Sequence, residues 1–190
     1  MLAKVIFRVF DNLRGPYVFE RLWHLFTNVR SLTRAEIEEA SRVLGDSAIL
    51  YDSVRVAQGG ILRVGFRLNK QRPFATFHTI NLPSSDQPRG EHFATLIHEL
   101  VHVYQFETVG SIYISQALRA QRREGYDYGG WEQLAEDHKG GKRFCDFNRE
   151  QQGQIVEDYY VNVIANCLQI EDPCRSAYEP FIADMRKRLL

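Results

Sequence analysis

The sequence predicts an α+β fold, and three observations carry that expectation. Residues 48–82 are dense in Val, Ile, Phe and Thr and are punctuated by Gly and Asn turns, as short strands are. From residue 89 onward, apolar residues recur at helical spacing. One helix, 89–108, is apolar over so much of its surface that it belongs in the interior. The expected architecture is a small antiparallel sheet packed on that helix, with a mostly helical C-terminal half. The 190 residues suit one domain over 1–190, with residues 1–30 as an N-terminal extension.

In chain order, residues 1–30 are rich in aromatics and read as a mixed strand and helix capping piece. Thr33-Arg34-Ala35-Glu36 is a capping box opening a helix that Gly45 closes. Strands are expected at 53–57, 61–68 and 74–82, with Gly59-Gly60 and Asn69-Lys70 as the turns. Pro83 to Pro88 reads as a loop. Helix 89–108 follows, with Phe93, Leu96, Ile97, Leu100, Val103 and Tyr104 in register, and Gly110 ends it. Further helices are expected at 111–122 and 131–139, separated by the Tyr- and Gly-rich loop Gly125 to Gly130. Asp146 or Asn148 caps a long helix to about residue 170, Pro173 breaks it, and a last helix covers 176–189.

Formal net charge is +0, which gives no basis for nucleic-acid binding through a basic surface. The cluster Arg186, Lys187 and Arg188 reads as a solvated helix C-terminus. No stretch of about 20 apolar residues is present, so no membrane span is expected. The run Val5-Ile6-Phe7 is interrupted by Arg8 and Asp11, unlike a signal peptide. The protein is expected to be cytoplasmic at synthesis, with export open only to a machine that needs no cleaved signal. Cys145, Cys167 and Cys174 are odd in number and form no CxxC pair, so reduced, mostly buried thiols are expected rather than a Cys167–Cys174 bridge.

The chemistry concentrates in His98-Glu99-Leu100-Val101-His102, an HExxH motif. Histidines four apart on a helix project from one face, and their ring nitrogens can reach one ion. Glu99 lies about 100° around the helix, where a carboxylate can take a proton from a water activated by that ion. With 6 histidines in the chain, about 0.01 such matches are expected by chance. Two imidazoles with one carboxylate suit zinc best.

A catalytic zinc needs a third protein ligand. The metzincin position is Thr108, and no cysteine precedes residue 145, so a distant glutamate remains. Glu150 is the first candidate and Glu157 the alternative; Gly153 between them would let their helix approach the HExxH helix closely. Gln154, Glu157 and Asp158 are candidate partners for the ligating histidines. A donor for a developing oxyanion is also expected, with Tyr128 taken first among Tyr113, Tyr126, Tyr128 and His138. His78 and His92 flank the motif but lack ligand spacing, and His24 reads as structural. Residues Phe74 to Leu82 could offer an edge strand to an extended substrate.

These segments together carry a resemblance. Leu32-Thr33 with Glu36-Ile37 and Gly45-Asp46, the run Leu96 to Gln105, Tyr126-Asp127-Tyr128, and Phe147-Asn148 with Glu150-Gln151-Gln152 and Ile155 to Tyr159 resemble small bacterial Vgr-related or Rhs-type secretion proteins. Those look like relatives of the metallopeptidase-like core domain found with extracellular contractile injection systems. The resemblance spans roughly residues 31–170. It implies a gluzincin-like, zincin-type fold, Glu150 as third ligand, and a link to type VI secretion with a spike or Rhs-type partner. The relatives commonly carry an acidic residue four after the ligand glutamate; here that residue is Gln154. The expected function is zinc-dependent hydrolysis of a peptide or protein substrate. The alternatives are a catalytically silent zinc-binding module of the secretion apparatus and a metal-dependent amidase on cell-wall peptides.

Overall fold

The computed structural model describes residues 2–62, 66–67, 71–83, 89–123 and 125–190. The chain is α+β, with eight α-helices and a four-stranded sheet among the described residues. The N-terminus is helical, α1 (Leu2–Asn12) and α2 (Gly15–His24), turned at Leu13-Arg14, where Arg14 takes φ 57°. β1 (Asn28–Ser31) follows, and α3 (Arg34–Leu44) starts on the expected capping box: Thr33 accepts from the Glu36 amide while the Glu36 carboxylate accepts from the Thr33 amide. Residues 1–30 are thus mixed as expected, with most of their aromatics on the two helices and the strand beginning only at Asn28. Phe19, stacked on Trp23 and edge-on to Phe77, packs one helix face.

The sheet departs from the expected antiparallel arrangement. It is mixed, in the order β1-β2-β4-β3, with β2 (Arg55–Gln58) antiparallel to β1 and parallel to β4 (Thr79–Asn81). β3 (Phe74–Thr76) pairs antiparallel with β4 and lies at the edge. Gly59 and Gly60, both at positive φ, do not make a hairpin. Gly60 sits against the Phe26 carbonyl, which a Cβ there would overlap, and the Ile61 amide donates to that same carbonyl. The expected strand 61–68 is therefore absent where described: Ile61 is in a turn, and Leu62, Phe66 and Arg67 are helical. Leu62 and Phe66, four apart and so one helical turn from each other, bury together against Ala57. The single strand expected over 74–82 is split at Phe77, which takes φ 56°. The Asn69-Lys70 turn and residues 84–88 of the expected loop lie outside the described residues.

The C-terminal half is helical: α4 (Arg89–Val109), α5 (Ile112–Arg123), α6 (Gly130–Lys139), α7 (Arg149–Tyr159) and α8 (Pro173–Arg186). Leu96 to Gln105 of α4 are all buried, so this helix is the centre of the core. The main cluster surrounds it with Val43, Val56, Ile80, Ile155, Tyr159 and Phe181 from five other elements. α7 ends sooner than its sequence suggests. A π-turn, Tyr160–Ile164, follows it, the Asn166 side chain then satisfies the Val161 and Asn162 carbonyls, and Cys167 takes φ 53°. Pro173 opens α8 rather than merely breaking a helix: it occupies the first turn, where no amide is needed, behind the Asp172 cap. Arg186 caps α3, donating to the Val43 and Arg42 carbonyls. The thiols are free, but Cys145 and Cys167 are exposed, contrary to the expected burial. No helix among the described residues is long and apolar enough to cross a membrane.

Candidate metal centre

His98 and His102 stand one turn apart on α4, and α7 packs across that face. Its register is set by a second capping box, in which Asn148 accepts from the Glu150 and Gln151 amides and Gln151 reaches back to the Asn148 amide. The cap fixes Glu150 in the first turn of α7, pointed at the histidines. Close approach depends on Gly153: a Cβ there would stand 2.8 Å from Cε1 and Nε2 of His98. Its backbone is ordinary helix, so this glycine serves packing rather than conformation.

The result is a buried cluster. Glu150 Oε2 is 3.6 Å from His98 Nε2 and 3.6 Å from His102 Nε2, and one donor atom from each residue lies within 4.8 Å of the others. Ligands at about 2.0–2.1 Å in a tetrahedral shell stand about 3.3–3.4 Å apart, so the Glu150 oxygen lies from each histidine nitrogen at close to the spacing that one small ion imposes. Glu150 Oε2 is buried and lacks a hydrogen-bond partner, an expensive arrangement unless a cation completes it. Its other oxygen accepts from Gln121 Nε2 at 3.0 Å.

The second nitrogens of the two rings fix their tautomers. Gln105 Nε2 donates to the Arg149 carbonyl and to Gln152 Oε1, which leaves Gln105 Oε1 as an acceptor 2.9 Å from His102 Nδ1. In its neutral form His102 therefore carries its proton on Nδ1, which leaves Nε2, the atom facing Glu150, free to bind an ion. His98 Nδ1 is 2.9 Å from Glu157 Oε2, an acceptor only, with the same consequence. Glu157 is thus a partner of His98 through Nδ1, and the place beside both Nε2 atoms belongs to Glu150. Gln154 and Asp158, also expected as such partners, turn elsewhere: Gln154 donates to Asp158. Gln105 was not singled out from the sequence; its position three after His102 on the same helix is the signal that could have found it.

Electrostatics follow from this crowding. Burial alone would lower the His98 pKa, but the Glu150 and Glu157 carboxylates outweigh it and raise it to about 10. His102 is raised too, burial again being overcome by Glu150. Burial would raise Glu150, yet the two histidines hold it well below the carboxylate range. Protons thus fill the role that a divalent ion would take, and ion binding must release them. Glu99 is 5% exposed, its Oε2 has no hydrogen-bond partner, and burial raises its pKa.

A cavity of about 370 Å³ opens beside the cluster, lined by Glu99 with Phe74, Tyr113, Ile114 and Leu118. A second hollow of about 280 Å³ shares Arg72, His98, Glu99 and Tyr126 with it and extends to Gln154 and Glu157. Tyr126, whose ring centroid is 5.8 Å from that of His98, lines both. Burial first, and then the Glu150 charge, push its phenol up to about 12, so it remains a donor at neutral pH. Tyr128 is placed differently. It is buried outside both hollows, and its hydroxyl donates to Asp158 at 2.6 Å and contacts that of Tyr178 at 2.8 Å. His138 packs edge-on against Phe181 and lines neither hollow. The Tyr113 hydroxyl donates to the Ala75 carbonyl and accepts from the Phe77 amide. His24, His78 and His92 are tied to Thr79, Glu107 and Glu36.

No family model, no curated protein and no solved structure matches the chain. What this site establishes is a buried His98, His102 and Glu150 group that could hold a metal ion.

Proposed function

We propose that the chain is a zinc-dependent peptidase of zincin-like fold, with His98, His102 and Glu150 as the ligands. The observation that carries this reading is Glu99. A buried carboxylate with an unpartnered oxygen, facing a cavity beside a metal-competent cluster, is costly for stability and is what a general base requires. Zinc, when bound, supplies Lewis acidity at a substrate carbonyl and toward water. Glu99 accepts the proton of the attacking water as the new C–O bond forms. It then passes that proton to the leaving amine as the C–N bond breaks. Tyr126 donates a hydrogen bond to the carbonyl oxygen as it gains charge, which its cleft position supports better than the Asp158-bound hydroxyl of Tyr128. The two hollows on either side of Tyr126 suit a chain running across the site.

The test is Glu99→Gln. Metal analysis should find the variant and the wild type equally loaded, while hydrolysis of a peptide library falls at least about 100-fold. Zinc-loaded wild type that cleaves no member of the library would refute the reading. In that outcome a zinc-held, catalytically silent module is the better description. The resemblance to Vgr-related and Rhs-type proteins supports assigning the activity to a type VI or related contractile secretion system, and co-purification with a spike or Rhs-type protein tests that assignment.

A second reading, an amidase on short peptides such as cell-wall stems, draws on Tyr113. Its hydroxyl already occupies the Ala75 carbonyl on the edge strand and the Phe77 amide just beyond it, groups a long extended substrate would use. Faster cleavage of tri- and tetrapeptides than of longer peptides would favour it.

A further inference from the structure

The two N-terminal helices carry a surface that the metal centre does not explain. On α1 the inward stripe is Phe7, Phe10 and Asp11, and on α2 it includes Pro16, Glu20 and Trp23. The outward side is also apolar. Val5, Ile6, Val9, Leu13, Leu22 and Leu25 are each at least half exposed, reaching 74% for Leu13 and 75% for Leu25. Water-facing aliphatic side chains at this density on two adjoining helices mark an interaction surface.

Charge identifies the occupant. The six charged residues on these helices and their turn are Lys4, Arg8, Asp11, Arg14, Glu20 and Arg21. Both acids are turned into the protein: Asp11 accepts from the Ser111 amide and hydroxyl, and Glu20 accepts from the His78 amide and the Thr79 hydroxyl. All four cations are exposed, and none is ion-paired with a carboxylate among the described residues. A chain of zero net charge thus carries four such cations among exposed aliphatic side chains on these two helices, while the carboxylates of Asp11, Glu20 and Glu107 line a hollow beside Arg14 and Tyr17. In a two-fold dimer built on this face the same patch would meet itself, setting cations against cations. An anionic lipid surface meets both features, taking the aliphatic side chains at the acyl boundary and the cations at the headgroups.

We propose that α1 and α2 dock the protein on anionic membrane surfaces, lying in the interface without crossing it. The inference is independent of the metal centre.

Sedimentation with vesicles tests it, using phosphatidylcholine alone and phosphatidylcholine mixed in equal parts with phosphatidylglycerol. The full chain should pellet with the mixed vesicles and stay in solution with the neutral ones, and added salt should release it. The double substitution Lys4→Gln with Arg8→Gln should lower partitioning about 25-fold, and Leu13→Asp should lower it as well. Far-UV circular dichroism and the urea midpoint should be unchanged in both variants, which shows that the fold is kept. Recovery of wild type in the supernatant with mixed vesicles overturns the proposal. So does a dimer in sedimentation velocity that Leu13→Asp dissociates, which would assign the surface to a second copy.

Discussion

Alanine at position 153 would put a methyl group 2.8 Å from Cε1 and Nε2 of His98 and 3.1 Å from its Nδ1. Unstrained carbon contacts lie at about 3.5–4.0 Å, so the ring or the helix must give by about 0.7–1.2 Å. The ring is poorly placed to yield, since Glu157 holds its Nδ1 at 2.9 Å and its Nε2 faces Glu150. Two effects then oppose each other in stability. Alanine gains about 1 kcal/mol over glycine within a helix, while overpacking costs about 1–3 kcal/mol. The expected net loss is at most about 2 kcal/mol, a modest shift of the urea midpoint measured with chelator present. Metal binding has no such compensation. Coordination distances hold within about 0.2 Å, so a ring displaced several times that far should cost at least 10- to 100-fold in zinc affinity. Competition against a chromophoric chelator measures this directly. A variant that folds like wild type and binds zinc equally well would refute the claim that Gly153 exists to seat His98.

Two further substitutions probe the supports of the site. Gln105→Leu removes the acceptor of His102 Nδ1 and should lower zinc affinity about 10- to 100-fold; an unchanged dissociation constant in the chelator competition would show that the ring is held by packing alone. Glu36→Gln should destabilise the fold by about 2–3 kcal/mol at neutral pH, because the buried carboxylate binds both guanidinium nitrogens of Arg30 at 2.7 and 2.8 Å, His92 at 2.8 Å and the Thr33 amide. Burial would raise the Glu36 pKa, but those partners hold it well below its ordinary 4.5. Its contribution is therefore present above about pH 4.5 and is lost as pH falls below that value. Urea melts across that range should show the gap between variant and wild type closing in acid, and a gap independent of pH would contradict the assignment.

The site was more legible in the sequence than the fold around it. His98, Glu99 and His102 are fixed by four-residue spacing on one helix, and the Asn148 cap with Gly153 marks where a second helix comes close. Such signals are local, and local geometry is what a sequence encodes most directly. The parallel pairing of β2 with β4 is not local: it joins segments more than twenty residues apart, and Gly60, at an expected hairpin turn, instead settles against Phe26, some thirty residues earlier in the chain. Leu62 and Phe66 lie in a run as rich in β-branched and aromatic residues as the true strands, yet both are helical and pack against Ala57. Composition likewise could not separate Tyr126 from Tyr128, two residues apart in one loop. Asp158 and Tyr178, distant in sequence, draw one hydroxyl into the core, while the other ring stays in the cleft beside His98.

The ligands sit on helices separated by roughly fifty residues, with α5, α6 and their loops between them. An ion held there behaves as a reversible staple across that loop, because the unfolded chain offers no such cluster. Bound zinc at a thousandfold excess over its dissociation constant adds about 4 kcal/mol to stability, comparable with a disulfide closing a loop of that length. A protein so tied would be firm where zinc is plentiful and easily unfolded or digested where it is scarce. Its lifetime would then report the zinc supply of the compartment it occupies.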